Sequence, residues 1–198
     1  MISSRTSALL LVFLLTAPIC SAVVETKTGV NFPDRYKGAA LESLGVRTKG
    51  PIKVYSVGKY GSTFYLKMLM KVGGEKMSSS LSAALTPRGC STPVTEEFES
   101  LLLSGLPSGA SKGTSFAFGT GKGKLSVFVN DKHVGTIANK QLAKAFAGIY
   151  TDSKAVCQLL PIGDNSSVET SPSLIIPKKC ATIVATIAIG LGLGLVLA

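Results

Sequence analysis

Gly45-Val46-Arg47, followed by Val54-Tyr55-Ser56-Val57-Gly58, is the passage whose reading decides the fold. Ile52 to Val57 reads as a strand, and it sets an arginine beside a pleat made for burial. A guanidinium held there needs an anionic partner, because a charge taken out of water must be paired. Downstream, Phe64 to Met70 is a neighbouring strand, with Gly61 and Ser62 in the turn. It alternates, Phe64, Leu66, Met68 and Met70 one way and Tyr65, Lys67, Leu69 and Lys71 the other, until Gly73 and Gly74 end it. Met77 to Leu85 is read as a further strand, polar on one side through Ser78, Ser80 and Ser82.

Beyond it the period changes from two to about 3.6. A helix is expected from Thr92, with threonine as the cap, Pro93 at the first helical position and Glu96 and Glu97 in the early turns. Val94, Phe98, Leu101 and Leu102 share one face, and Gly105 and Pro107 stop the helix. Thr114 to Phe118 and Lys124 to Val129 form a hairpin through Gly119 to Gly123. Asn130-Asp131 turns the chain into a last strand, Val134 to Ile137. A second helix, Asn139 to Tyr150, buries Leu142, Phe146 and Ile149. Successive strands interrupted by two amphipathic helices imply an α+β domain, an antiparallel sheet with a covering layer of helices on one face. No internal repeat is visible.

The two ends are not fold material. In residues 1–22, Arg5, an apolar stretch from Ala8 to Leu15 and small residues Cys20 and Ala22 have the order of a signal peptide, cleaved after Ala22. Residues 23–160 form the domain and residues 161–179 a Ser/Pro-rich linker. Residues 180–198 carry no charge and would extend about 28 Å as a helix against a hydrocarbon core of about 30 Å. Three readings stand for this tail: a retained membrane span, a lipid-anchor signal, or a buried core helix. A span would leave Lys178 and Lys179 on the lumenal side, against the positive-inside tendency. A lipid-anchor signal, with small residues at Asn165, Ser166 and Ser167 and a spacer to Lys179, avoids that conflict. Either way the expected location is the secretory route, membrane-anchored through the C-terminal segment, with a plastid as the alternative.

The chain of 198 residues is 45% hydrophobic and carries a net charge of +10. Its Lys and Arg residues are scattered and aromatics are only 7%, so no basic helix stripe or nucleic-acid reader motif emerges. A solvated basic surface, or attraction to anionic lipid, uses the same charge more simply. Of four cysteines, Cys20 leaves with the signal and Cys180 stands in the tail. Cys90 and Cys157 remain, able to bridge in an oxidising compartment or to stay as buried thiols. No cysteine pair has metal-site spacing and there is one histidine, so neither a metal nor a cofactor is expected. Gly119-Thr120-Gly121-Lys122-Gly123-Lys124 precedes a strand and not a helix, which makes it a hairpin turn and not a phosphate cradle. His133 reads as a surface side chain. Asn165-Ser166-Ser167 also matches the N-glycosylation acceptor, so Asn165 is a glycosylation or an anchor site.

Gly45-Val46-Arg47 with its following strand, Thr28-Gly29-Val30-Asn31-Phe32-Pro33 upstream and Gly148-Ile149-Tyr150-Thr151-Asp152 downstream together resemble the chalcone isomerase fold family. The resemblance spans roughly Gly29 to Leu160. It implies a large sheet with a helical layer and a cleft between them for a flat or elongated apolar ligand. It also implies that Arg47 lies at that cleft and that Tyr55 stands where fatty-acid-binding members place the tyrosine that holds a carboxylate with the arginine. The chemistry agrees: a planar guanidinium fork and a neutral phenol can both donate to an acid head. A salt bridge from Arg47 to an acid such as Glu42 is the plainer alternative.

The enzyme reading fails at most of its positions. Family members that cyclise chalcones use a strand threonine, a tyrosine and an asparagine around the first helix, and a Ser or Thr after Val-Ser-Pro. Here Tyr55, Ser91 and Phe98 fall at the first three, Gln158 at the proline and Leu160 at the hydroxyl residue. No tyrosine lies between Met70 and Phe118. Little is left to bind a phenolate or orient an attacking oxygen. The reading is therefore a non-catalytic chalcone isomerase-like protein that binds a fatty acid or similar apolar carboxylate through Arg47 and Tyr55. The alternatives are an intramolecular lyase on a chalcone-like substrate, and an accessory interaction module without a ligand.

Overall fold

The computed structural model describes residues 22–162. The expected signal peptide up to residue 21, Cys20, Asn165, the linker beyond residue 162, Cys180 and the apolar tail lie outside the described residues. Among the described residues no helix is long and apolar enough to cross a membrane.

Two small hairpins come first: β1 (Ala22–Glu25) with β2 (Val30–Pro33), then β3 (Arg35–Tyr36) with β4 (Ala39–Ala40). The main sheet follows as a meander: β5 (Ser43–Lys49), β6 (Ile52–Tyr60), β7 (Thr63–Met68), then β8 (Ser115–Gly119), β9 (Leu125–Val129) and β10 (Lys132–Ile137). Helices α1 (Gly74–Leu85) and α2 (Thr92–Ser104) are inserted between β7 and β8. After β10, α3 (Lys140–Thr151) carries the chain to the opposite edge, where β11 (Leu160–Pro161) pairs with β5. The strand order is β10-β9-β8-β7-β6-β5-β11, with antiparallel pairing throughout. This is the α+β architecture expected from the sequence, an antiparallel sheet under a helical layer.

Alternation along the strands builds two cores. Tyr55 and Val57 of β6, Phe64, Leu66 and Met68 of β7, and Phe116 and Phe118 of β8 turn toward the helices. They meet Met77, Leu81 and Leu85 of α1, Phe98 and Leu102 of α2, and Phe146 and Ile149 of α3. Phe118 and Phe146 have ring centroids 4.5 Å apart at the centre of this layer. Tyr60 and Tyr65 face the other way, where Phe32, Leu41 and Leu44 close a smaller core under the N-terminal hairpins. The helices therefore cover one face, and the hairpins cover part of the second, which the strand pattern alone did not announce.

Met77 to Leu85 is helical, not a strand. Its buried residues are Met77, Ser78, Leu81, Ser82 and Leu85, the spacing of one helix face. The serines that mimicked a polar strand face find backbone acceptors, Ser78 and Ser82 inside the helical layer and Ser80 on its exposed surface. Ser78 Oγ donates to the Glu75 carbonyl at 3.1 Å, Ser80 Oγ to that of Lys76 at 2.6 Å, and Ser82 Oγ to that of Thr95 at 3.3 Å. Backbone bonding within one turn lets serine sit in a helix at little loss. In α2 the cap is Ser91 and Thr92 is the first helical residue, one position from the expectation. The cap of α3 is Asn139, whose Oδ1 accepts from the Leu142 amide at 2.9 Å. Asn130 and Asp131 adopt φ of 48° and 62°, the left-handed pair that a tight hairpin turn demands.

Candidate functional site

Arg47 and Tyr55 face each other across the β5–β6 ladder. The register shifts immediately after Arg47, a bulge that bends the strand end and re-aims side chains there. Directly opposed residues lie on one sheet face, so both side chains point toward the helices.

They line a cleft of about 470 Å³ between the open end of the sheet and α1. The sheet supplies Arg47 and Lys49 from β5 and Ile52, Val54 and Tyr55 from β6. Met70 to Gly73 form the rim beyond β7, and Lys76, Met77, Ser80, Leu81 and Ala84 of α1 form the facing wall. Ile149 of α3 and Val156 close the inner end. The wall is apolar, its charged members are Arg47, Lys49, Lys71 and Lys76, and no carboxylate is among them.

Arg47 is half-buried and donates from Nη1 to the Val156 carbonyl at 2.7 Å. Among the described residues it has no acidic partner. Glu42, the plainer alternative, pairs with Lys59 and accepts from the Gly61 amide at 3.0 Å, while Asp152 is engaged by Arg88. A guanidinium has five N–H donors, so most of its hydrogen-bonding capacity is not used by partners among the described residues.

Tyr55 is 5% exposed, and its hydroxyl lies 3.2 Å from that of Tyr150, which is 2% exposed. Two hydroxyls share one hydrogen bond, which leaves one proton over to donate elsewhere. Burial pushes the Tyr55 phenol up to about 12, against the hydrogen bond from Tyr150 and the pull of Arg47. Burial raises Tyr150 as well, and so does its neighbour Tyr55. Both are neutral donors at physiological pH. Cys157 belongs to the same cluster, its thiol raised by burial to about 11 although Arg47 opposes the shift. Tyr150 was read as the end of the second helix and as part of the Gly148–Asp152 segment, but not as a site residue. Its place beside Ile149 and four residues after Phe146, on the buried stripe of α3, was the local signal that it faces the core.

The remaining residues singled out in the sequence lie elsewhere. Cys90 and Cys157 are both buried free thiols. Phe98 is fully buried in the main core, Ser91 caps α2 at the surface, and Leu160 belongs to β11; none of the three lines the cleft. The segment Gly119 to Lys124 is a turn between β8 and β9. His133 is exposed, with Nε2 2.9 Å from Thr136 Oγ1. Among the described residues no cluster of His, Cys, Asp and Glu could hold a metal ion.

No protein-family model matches the chain, and no curated protein matches it either. Solved structures do. The crystal structure of a fatty-acid binding protein of Arabidopsis thaliana superposes with a TM-score of 0.60 at 19% identity, covering 68% of this chain and 91% of that one. The fold is chalcone isomerase-like. Within that fold, the cleft described above lies between the sheet and the helical layer, with Arg47 and Tyr55 on its sheet side.

Proposed function

We propose that this protein binds a fatty acid or similar apolar carboxylate in the cleft between sheet and helices, as a binder and not as a catalyst. The observation that carries the reading is Arg47: a half-buried guanidinium in an apolar slot, with one backbone hydrogen bond and no acidic partner among the described residues. An acid-headed molecule satisfies both parts of that site. The carboxylate takes the free edge of the guanidinium, the spare proton of the Tyr55–Tyr150 pair supplies a second donor, and the tail lies against Val54, Met77, Leu81 and Ile149. The fold similarity to a protein described as fatty-acid binding supports the same ligand class.

Magnitudes divide the labour. About 14 buried methylenes at about 0.8 kcal/mol each supply about 11 kcal/mol. A charge-assisted hydrogen bond adds about 1.5–3 kcal/mol. Association costs about 4–15 kcal/mol, and with a cost of about 4–6 kcal/mol, near the lower end of that range, the balance is micromolar binding. The tail sets affinity and Arg47 sets orientation. A cleft of about 470 Å³ is neither filled nor collapsed, which favours a ligand over a purely structural accessory role. Titration of the protein with long-chain fatty acids tests the reading. Micromolar saturation is expected in the wild type with weaker binding in Arg47→Ala, and equal affinity in both removes the proposed role.

A further inference from the structure

The mouth of the cleft brings positive charge and exposed apolar surface together. Lys49, Lys71 and Lys76 are exposed on its rim, and no Asp or Glu lines it; Glu75, in the first turn of α1, is an adjacent acid outside the lining. Ile52 also lines the mouth and, at 51% exposure, is the most exposed large hydrophobic side chain among the described residues. It follows the turn at Gly50 and Pro51 directly and pairs with Lys49 across the ladder. The hairpin tip is thus an apolar point flanked by cations. One carboxylate ligand needs one cation, and Arg47 is the one inside; the three lysines are left without a function in that site.

We propose that this rim is a docking surface for an anionic lipid bilayer, with Ile52 entering the headgroup layer and the three lysines facing its negative charge, so that the cleft opens onto the membrane. A planar surface of many negative charges matches three separated cations better than a single small ligand does. An apolar side chain ringed by lysines is the arrangement that peripheral membrane contacts use. The docking surface stands on the geometry of the mouth. Its use in loading or unloading the cleft rests on the acid-binding reading.

The test is partition of the full-length chain onto phosphatidylcholine vesicles with and without phosphatidylserine, read as the ratio of the two partition coefficients. The ratio cancels charge-independent attachment by the apolar ends. Each lysine at an anionic surface contributes about fivefold, so Lys49→Gln/Lys71→Gln/Lys76→Gln is expected to lower the ratio about a hundredfold. The control removes the same charge from the opposite end of the sheet, at the β8–β9 turn and the start of α3: Lys122→Gln/Lys124→Gln/Lys140→Gln. It is expected to lower the ratio by a few-fold only. Ile52→Ser is expected to weaken partition onto anionic vesicles. Equal losses in both triple variants, or no preference for phosphatidylserine in the wild type, would overturn the docking surface. Fatty-acid titration without vesicles separates the two readings. Normal acid binding with no rim-specific partition removes only the docking surface, and rim-specific partition without acid binding removes only the ligand.

Discussion

The carbonyl oxygen of Val156 accepts a hydrogen bond from Arg47 Nη1 at 2.7 Å, joining β5 to the segment that leads from α3 to β11. That bond holds the guanidinium at the inner end of the cleft and leaves its other N–H groups unspent.

Arg47→Ala should weaken fatty-acid binding by about 10- to 100-fold, the equivalent of one charge-assisted hydrogen bond at about 1.5–3 kcal/mol. Arg47→Lys should recover part of the loss, because it restores the charge without the planar fork. Calorimetric titration with a fatty acid and with the matching fatty alcohol checks the cause. The alcohol's affinity should be nearly indifferent to either substitution.

The Tyr55 and Tyr150 hydroxyls should behave as a coupled pair. Tyr150→Phe leaves a buried phenol without its partner, at about 1–3 kcal/mol, whereas removing both hydroxyls together is much milder than the sum. Denaturant unfolding of Tyr55→Phe, Tyr150→Phe and the double variant gives the coupling energy directly. Strict additivity would mean that the two groups do not interact.

Gly45→Ala should destabilise the fold by about 1–3 kcal/mol, the usual range for overpacking. A Cβ at Gly45 would stand 2.6 Å from the Gln158 carbonyl oxygen and 3.0 Å from Leu159 Cδ2. The nearest of these is backbone that cannot rotate away, so the segment before β11 must shift, and Val156 with it. A lowered unfolding midpoint together with weakened acid binding is expected; an unchanged midpoint would show that this segment yields freely.

Stability should fall in alkali. Cys157 is raised from 9.0 to about 11 and Tyr55 from 10.0 to about 12, both by burial, and Tyr150 is raised further in the same direction. Groups with raised folded values hold protons that the unfolded chain has released, so their contribution is complete below pH 9 and declines as pH climbs through 12. Tyr36, Tyr60, Tyr65 and Cys90 are shifted the same way. Urea unfolding at pH 8 and above pH 10 should give a lower free energy at the higher value. A flat or rising profile would contradict the burial of these groups.

The sheet and two of the helices were legible because their patterns are local. Phe64, Leu66 and Met68 alternate within one strand, and Leu142, Phe146 and Ile149 recur within one helix, so their buried faces follow from periodicity. The position of Arg47 beside a buried strand was legible as well, whereas its partner there, the Val156 carbonyl, was not. Helix α1 was not. Ser78, Ser80 and Ser82 imitate an alternating strand, and the bonds that reconcile them with a helix, to carbonyls one turn back and to Thr95, exist only once the helix has formed and packed.

What the sequence by itself determined is the alternation, the turns, and the place of one arginine, Arg47, beside a buried strand. What only the tertiary structure decided is which distant groups meet: Val156 beneath Arg47, Tyr150 against Tyr55, and three scattered lysines on one rim around Ile52. The reason is physical. Periodicity is set by backbone geometry over a few residues, whereas these meetings depend on how α1 and α3 settle on the sheet, a choice made by the packing of the whole core.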